Sequence, residues 1–136
     1  MSTRSSIAVQ HSDGTVSAIY CHFDGYIEGV GLTLHENFND DASALNLVMR
    51  GNLSTVHGGV EAYADRGEAW EDNAPKVYES FEQYKDNVQD DIGSNGFCYI
   101  FREGAWHAHG DSVNRSGKTY KLSRLIEIRR ARGDIK

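Results

Sequence analysis

The segment Ile19-Tyr20-Cys21-His22-Phe23-Asp24-Gly25-Tyr26 places a thiol, an imidazole, a carboxylate and two phenols close together in the chain. A second cluster, Trp106-His107-Ala108-His109, adds two more imidazoles late in the sequence. Residues two apart on a strand share a face. His22 with Asp24, and His107 with His109, are therefore two candidate pairs of metal ligands, and they would make one four-ligand site if the two segments faced each other. Cys21 is a candidate nucleophile. Such a thiol needs a nearby base and a lowered pKa. His22 is adjacent in sequence and points to the opposite strand face, so His107 or His109 would have to be that base. There is no Gly-x-Ser-x-Gly turn for a serine hydrolase. There is also no Walker pattern and no full dinucleotide fingerprint, since Gly29-Val30-Gly31 lacks the remaining elements. A structural role explains the first cluster equally well. Tyr20, His22, Asp24 and Tyr26 would brace a strand-to-helix corner by hydrogen bonds, with Asp24 capping the helix and Gly25 supplying the turn.

The elements that must position these residues are legible in outline. Ile7 to His11 and Thr15 to Phe23 read as strands, and Asp13-Gly14 between them is a strong hairpin signal. In the second strand Ile19, Cys21 and Phe23 face one way while Ala18, Tyr20 and His22 face the other. Apolar bulk on both faces predicts a central strand. Ile27, Val30, Leu34 and Phe38 recur at helical spacing, interrupted by Gly29 and Gly31. Asn39-Asp40-Asp41 supplies a helix start, and the helix it opens is expected to turn Leu45, Val48 and Met49 inward and to stop at Gly51. Residues 52 to 75 are irregular. Lys76 to Glu79 reads as a short strand. Ser80 and Gln83 form a capping box for a helix that buries Phe81, Tyr84 and Val88. Phe97 to Arg102 and Ala105 to His109 form a second hairpin. Leu122, Leu125, Ile126 and Arg129 fit a final helix with a basic outer face, a strand over 120 to 132 being the alternative. The expected fold is α+β in a single domain, residues 1 to 136: a mainly antiparallel sheet built from the two hairpins, with helices packed on one face.

The chain of 136 residues is long enough to bury a core without staples. Its formal charge of −6 works against phosphate backbones, so direct nucleic-acid binding is not expected. Charge is unevenly placed. Ten carboxylates lie between Glu61 and Asp91, opposed there by Arg66, Lys76 and Lys85 alone. Glu82, Asp86 and Asp90 stand four apart and form one row on the outer side of the predicted helix. Lys118, Lys121, Arg124, Arg129, Arg130, Arg132 and Lys136 make the end of the chain basic. The two cysteines, Cys21 and Cys98, sit in apolar strand surroundings and read as buried free thiols. The start, Met1-Ser2-Thr3-Arg4-Ser5, has no apolar leader region and no run reaches membrane-spanning length. The expected compartment is the bacterial cytoplasm.

The opening Met1-Ser2-Thr3-Arg4-Ser5, the Ile19-to-Tyr26 segment and the late Tyr99-Ile100-Phe101 … Gly104-Ala105-Trp106 resemble a largely uncharacterised group of small proteins encoded by bacteriophages, prophages and plasmids. Members of that group commonly show Cys-His-Trp-Asp-Gly-Tyr, where this chain has Phe23 for the Trp; Pro often follows the Tyr, where this chain has Ile27. The specific match lies in the first 38 residues. The resemblance implies a mobile-element accessory protein and carries no activity over residue by residue. Two readings of function follow. The first is a non-catalytic accessory protein, without cofactor, that binds a protein partner with a basic surface, such as a host defence or nucleic-acid-handling factor. Its binding residues would be Tyr20, His22, Asp24 and Tyr26 with Glu82, Asp86 and Asp90. The second is a small metal- or thiol-dependent enzyme working between the corner at 20 to 26 and the 105 to 109 hairpin, with His22, Asp24, His107 and His109 as ligands.

Overall fold

The computed structural model describes residues 2 to 135 as a mixed α/β domain. Among these residues, eight strands form one sheet: β1 (Ser5–Gln10), β2 (Val16–Cys21), β3 (Leu53–Thr55), β4 (Glu61–Ala62), β5 (Lys76–Tyr78), β6 (Phe97–Arg102), β7 (Ala105–His109) and β8 (Tyr120–Lys121). Their order is β4-β3-β2-β1-β6-β7-β8, and β5 pairs with β2 beside β3. The hairpins β1–β2 and β6–β7 are joined through a parallel β1–β6 pairing, with Ile7 opposite Tyr99. Both hairpin turns therefore lie at the same end of the sheet. The second is a two-residue turn, Glu103-Gly104, with positive φ at both residues (53° and 78°), which matches the right-handed twist of the strands it joins.

Five α-helices among the described residues accompany the sheet: α1 (Leu32–Asn37), α2 (Asp41–Val48), α3 (Trp70–Asn73), α4 (Phe81–Ile92) and α5 (Leu122–Ala131). A π-helical turn, Ile27–Gly31, precedes α1. The expected two-hairpin sheet with helices on one face is corrected in both respects. The sheet has eight strands, because short segments of the irregular region 52 to 75 and of the chain end extend it. Helices cover both faces. Ile7, Ile19 and Cys21 pack with Leu34, Leu47 and Ile126 from α1, α2 and α5. Ala8, Ala18 and Ile100 pack with Tyr84 and Val88 from α4. A central strand with apolar residues on both faces needs a cover on each, since bare apolar area costs about 25 cal/mol per Å² left in water.

Helix boundaries follow their signals. Asp40 accepts the Ser43 N–H at 2.8 Å and starts α2. Ser80 accepts the Gln83 N–H at 3.0 Å, while Gln83 accepts the Glu79 N–H at 2.7 Å, closing the capping box one residue early. Three inward assignments fail. In α2 the buried residues are Ala44, Leu47 and Val48, which join the core on one face; Leu45 and Met49 are exposed on the other side of the helix. In α4, Tyr84 and Val88 are fully buried but Phe81 is only partly so. It lies at the first turn, near the end of β6, with the Arg102 guanidinium 3.9 Å from its ring centre. The expected cost of Phe81→Ala is accordingly about 1–2 kcal/mol, below the 3–5 kcal/mol usual for a fully enclosed aromatic ring. Urea denaturation of the variant checks this, and a loss above about 3 kcal/mol would show that the ring is enclosed.

Candidate functional site

The strand β2 ends where the chain leaves the sheet, and the corner that follows is tightly specified. Asp24 has a positive φ of 59°, a conformation that Asp tolerates better than most side chains. The Gly25 N–H donates to the Thr3 carbonyl at 2.8 Å, and the Tyr99 hydroxyl donates to the Gly25 carbonyl at 2.7 Å. A Cβ on Gly25 would sit 2.8 Å from Thr3 O, so only glycine fits. The turn Ile27–Gly31 is held by the Asp24 carbonyl, which accepts the Val30 N–H at 2.8 Å. The expected side-chain cap from Asp24 is thus replaced by its backbone carbonyl, and its carboxylate instead accepts the Tyr26 hydroxyl at 2.9 Å. That bond holds the Tyr26 phenol above its ordinary pKa. Tyr20 Oη and His22 Nδ1 are 2.5 Å apart, and the His22 ring meets Phe23 edge-on at 4.5 Å. The four corner residues thus form two hydrogen-bonded pairs, Tyr20 with His22 and Asp24 with Tyr26. Phe23 and Tyr26 are exposed beside them.

The four-ligand site does not assemble. His22 and Asp24 follow β2, whereas His107 and His109 lie on β7, and β1 and β6 stand between. Three strand spacings put the pairs about 14 Å apart. No group of three or more His, Cys, Asp or Glu positioned to hold a metal ion occurs among the described residues. The cysteine reading is corrected too. Cys21 is fully buried with its thiol pKa pushed up to about 12 by burial, opposite to what a nucleophile needs. Cys21 and Cys98 are both free and lie under opposite faces of the sheet, so they cannot pair.

His109 has a different task. Tyr20 lies opposite Ser6, Ser6 opposite Cys98, and Cys98 opposite His109, so a polar row crosses the sheet beneath α4. The His109 Nε2 and the Tyr84 hydroxyl are hydrogen-bonded at 2.7 Å, and their rings meet edge-on. Burial depresses the His109 pKa to about 4 and raises that of Tyr84 well above its ordinary value. Both are neutral at physiological pH, which suits a packed interior. Nothing in the sequence links residues 25 positions apart in this way.

The acidic row is where the helical spacing puts it. Glu82, Asp86 and Asp90 are exposed on the side of α4 away from Tyr84 and Val88. They join no ion pair among the described residues, whereas α5 on the opposite face of the sheet has its arginines engaged. Arg129 pairs with Glu28 at 3.0 Å and Arg130 with Glu36 at 3.8 Å. Comparison with protein-family models, with curated proteins and with solved structures gave no match. No helix among the described residues is long and apolar enough to cross a membrane. The open edge of β5 is a feature that the sequence reading misses. A lone Pro75 directly before Lys-Val-Tyr is the available signal, because proline in a sheet is confined to edges and strand starts.

Proposed function

We propose that this chain is a non-catalytic accessory protein of phage or prophage type, acting in the bacterial cytoplasm by binding another protein through the outer face of α4. The observation that carries this reading is the unequal pairing of charge. The carboxylates of Glu82, Asp86 and Asp90 are exposed and unpaired among the described residues, while the arginines of α5 are held by carboxylates. An uncompensated acidic row attracts a basic surface and repels nucleic acid. The partner class is then a protein with a basic face, for example a host defence or nucleic-acid-handling factor. The catalytic alternative loses its support in the separation of His22 and Asp24 from His107 and His109 and in the protonated, enclosed Cys21.

The test begins with affinity capture from host lysate and mass spectrometry, followed by kinetics with the captured protein. The triple variant Glu82→Lys, Asp86→Lys, Asp90→Lys changes exposed positions only and is expected to keep its thermal midpoint within a few degrees. Its association rate should fall roughly tenfold or more at low salt, and the dependence of that rate on ionic strength should flatten, because steering fades beyond a Debye length of about 8 Å. An unchanged rate with unchanged salt response would make the row a solvated face and nothing more.

A further inference from the structure

The outer edge of β5 is open. Val77 is 64% exposed, the most exposed of the large apolar residues among those described. The direction of its backbone groups follows from β2. The Tyr20 N–H points away from β1 to the Asn52 side-chain carbonyl at 3.0 Å. Backbone groups alternate along a strand, so Ala18 and Val16 also point away from β1, toward the strand that pairs there. The hydrogen-bonded pairs are therefore Ala18 with Lys76 and Val16 with Tyr78, while Val77 opposite Ser17 turns its N–H and C=O outward. On either side the edge is blunted. Pro75 has no N–H, and the Glu79 N–H is taken by Gln83. Val77 is left as the one residue in this stretch presenting both a donor and an acceptor. Beside it runs a shallow groove of about 270 Å³ between β5 and the Gln83, Asn87, Asp91 row of α4.

The geometry points to strand addition: an extended segment of a partner protein with a basic–apolar–basic core docks on Val77 and lies in this groove. Two backbone hydrogen bonds to Val77 would set its register. A residue laid opposite Val77 shares its face, the one turned away from α4, so an apolar side chain there covers Val77. The residues before and after it project toward α4, where Asp91 lines the groove and Glu82, Asp86 and Asp90 form the adjacent row. Asp91 already accepts the Tyr78 hydroxyl at 3.0 Å, and Lys76 holds it only loosely at 3.9 Å, leaving room for an incoming ammonium or guanidinium. Charge selects the partner over a second copy of this chain. Two copies meeting edge to edge would bring two unpaired acidic rows together on molecules of net charge −6. The inference rests on the protein-partner reading above and adds the chemistry and backbone form of what binds.

The experiment titrates the ¹⁵N-labelled full chain with a capped extended peptide centred on Lys-Val-Lys. Amide shifts and hydrogen exchange are followed by NMR at low salt. Strand addition is expected to centre the shift changes on residues 76 to 79 and to slow exchange of the Val77 amide by roughly tenfold at saturation. Methylating the backbone nitrogen of the central peptide valine leaves the charge intact and should weaken binding roughly two- to tenfold. A Glu-Val-Glu peptide should not bind. Val77→Pro, which removes a donor that the β2 pairing does not use, should act like the methylated peptide. Equal binding of the methylated peptide, shifts centred elsewhere, no binding at millimolar peptide, or Val77 protection that grows with protein concentration alone would each overturn the proposal. The last of these would mark the edge as a self-association site. Failure of the acidic-face reading looks different: the peptide still protects Val77, while the triple Lys variant meets its natural partner at an unchanged rate.

Discussion

Gly29→Ala is expected to lower the stability of the fold by about 3 kcal/mol or more. A Cβ at this position would lie 2.3 Å from the Asp24 carbonyl oxygen and 3.0 Å from both the Asp24 Cβ and the Tyr26 ring. The obstructing atom is backbone, and it is fixed from the other side, because that same oxygen accepts the Val30 N–H at 2.8 Å. The π-helical turn cannot widen further without breaking this bond, so the clash must be relieved by moving the whole corner. Asp24, Tyr26 and the Gly25 carbonyl held by Tyr99 would shift with it. Gly31→Ala is the internal control. Its nearest contacts would be side-chain atoms of Leu122 and Tyr99 at 3.3 Å, which need to give by only a few tenths of an ångström, with no backbone atom among them. Its expected cost is about 1 kcal/mol or less. Denaturant unfolding monitored by the fluorescence of the buried Trp106 measures both variants. A cost below about 1 kcal/mol for Gly29→Ala would mean that the corner is free to relax.

The second large effect is a pH dependence centred on His109. Its imidazole is 4% exposed and its pKa is depressed to about 4, first by burial and then by the charge of Lys85. In the unfolded chain a histidine titrates near 6.5. Above about pH 6.5 both states are neutral at this residue and its contribution to stability is complete. As the pH falls from there, the unfolded chain takes up a proton that the native state refuses, and stability is lost until about pH 4, where both states are charged. A difference of this size corresponds to about 3 kcal/mol across that window. Other groups titrate in the same range, so the quantity to compare is the difference in unfolding free energy between the native sequence and His109→Gln. That difference should shrink by about 3 kcal/mol between about pH 7 and pH 4. A flat difference would show that His109 takes up its proton in the folded protein as readily as in the unfolded chain, contrary to its enclosure with Tyr84.

Several features are written locally in the chain and are legible from its residues alone. The two hairpins, the Ser80–Gln83 capping box, the Asp40 cap and the outward row at Glu82, Asp86 and Asp90 each depend on residues that are near neighbours in the chain. Local hydrogen bonding and helical period therefore suffice to specify them. The alternation of β2, with Ile19 and Cys21 against Ala18 and Tyr20, by itself requires two covered faces. The expectation of helices on one face is inconsistent with that requirement, and α4 supplies the second cover.

What the sequence determined by itself was the longer strands and helices and the chemistry each one carries: a compact strand-to-helix corner, an acidic helix, a basic helix and two thiols in apolar strands. The parallel pairing of β1 with β6 was decided only by the tertiary structure, and nearly every functional outcome follows from it. It set three strand spacings between His22 and His107, which removed the metal site. It also completed the row Ser6, Cys98 and His109 under Tyr84, which converted a candidate base into a neutral buried imidazole. The same assembly left β5 at an open edge with Val77 turned outward beside α4. Long-range strand order depends on which pairing buries the most apolar surface across the whole chain, a sum over distant residues that no local period records.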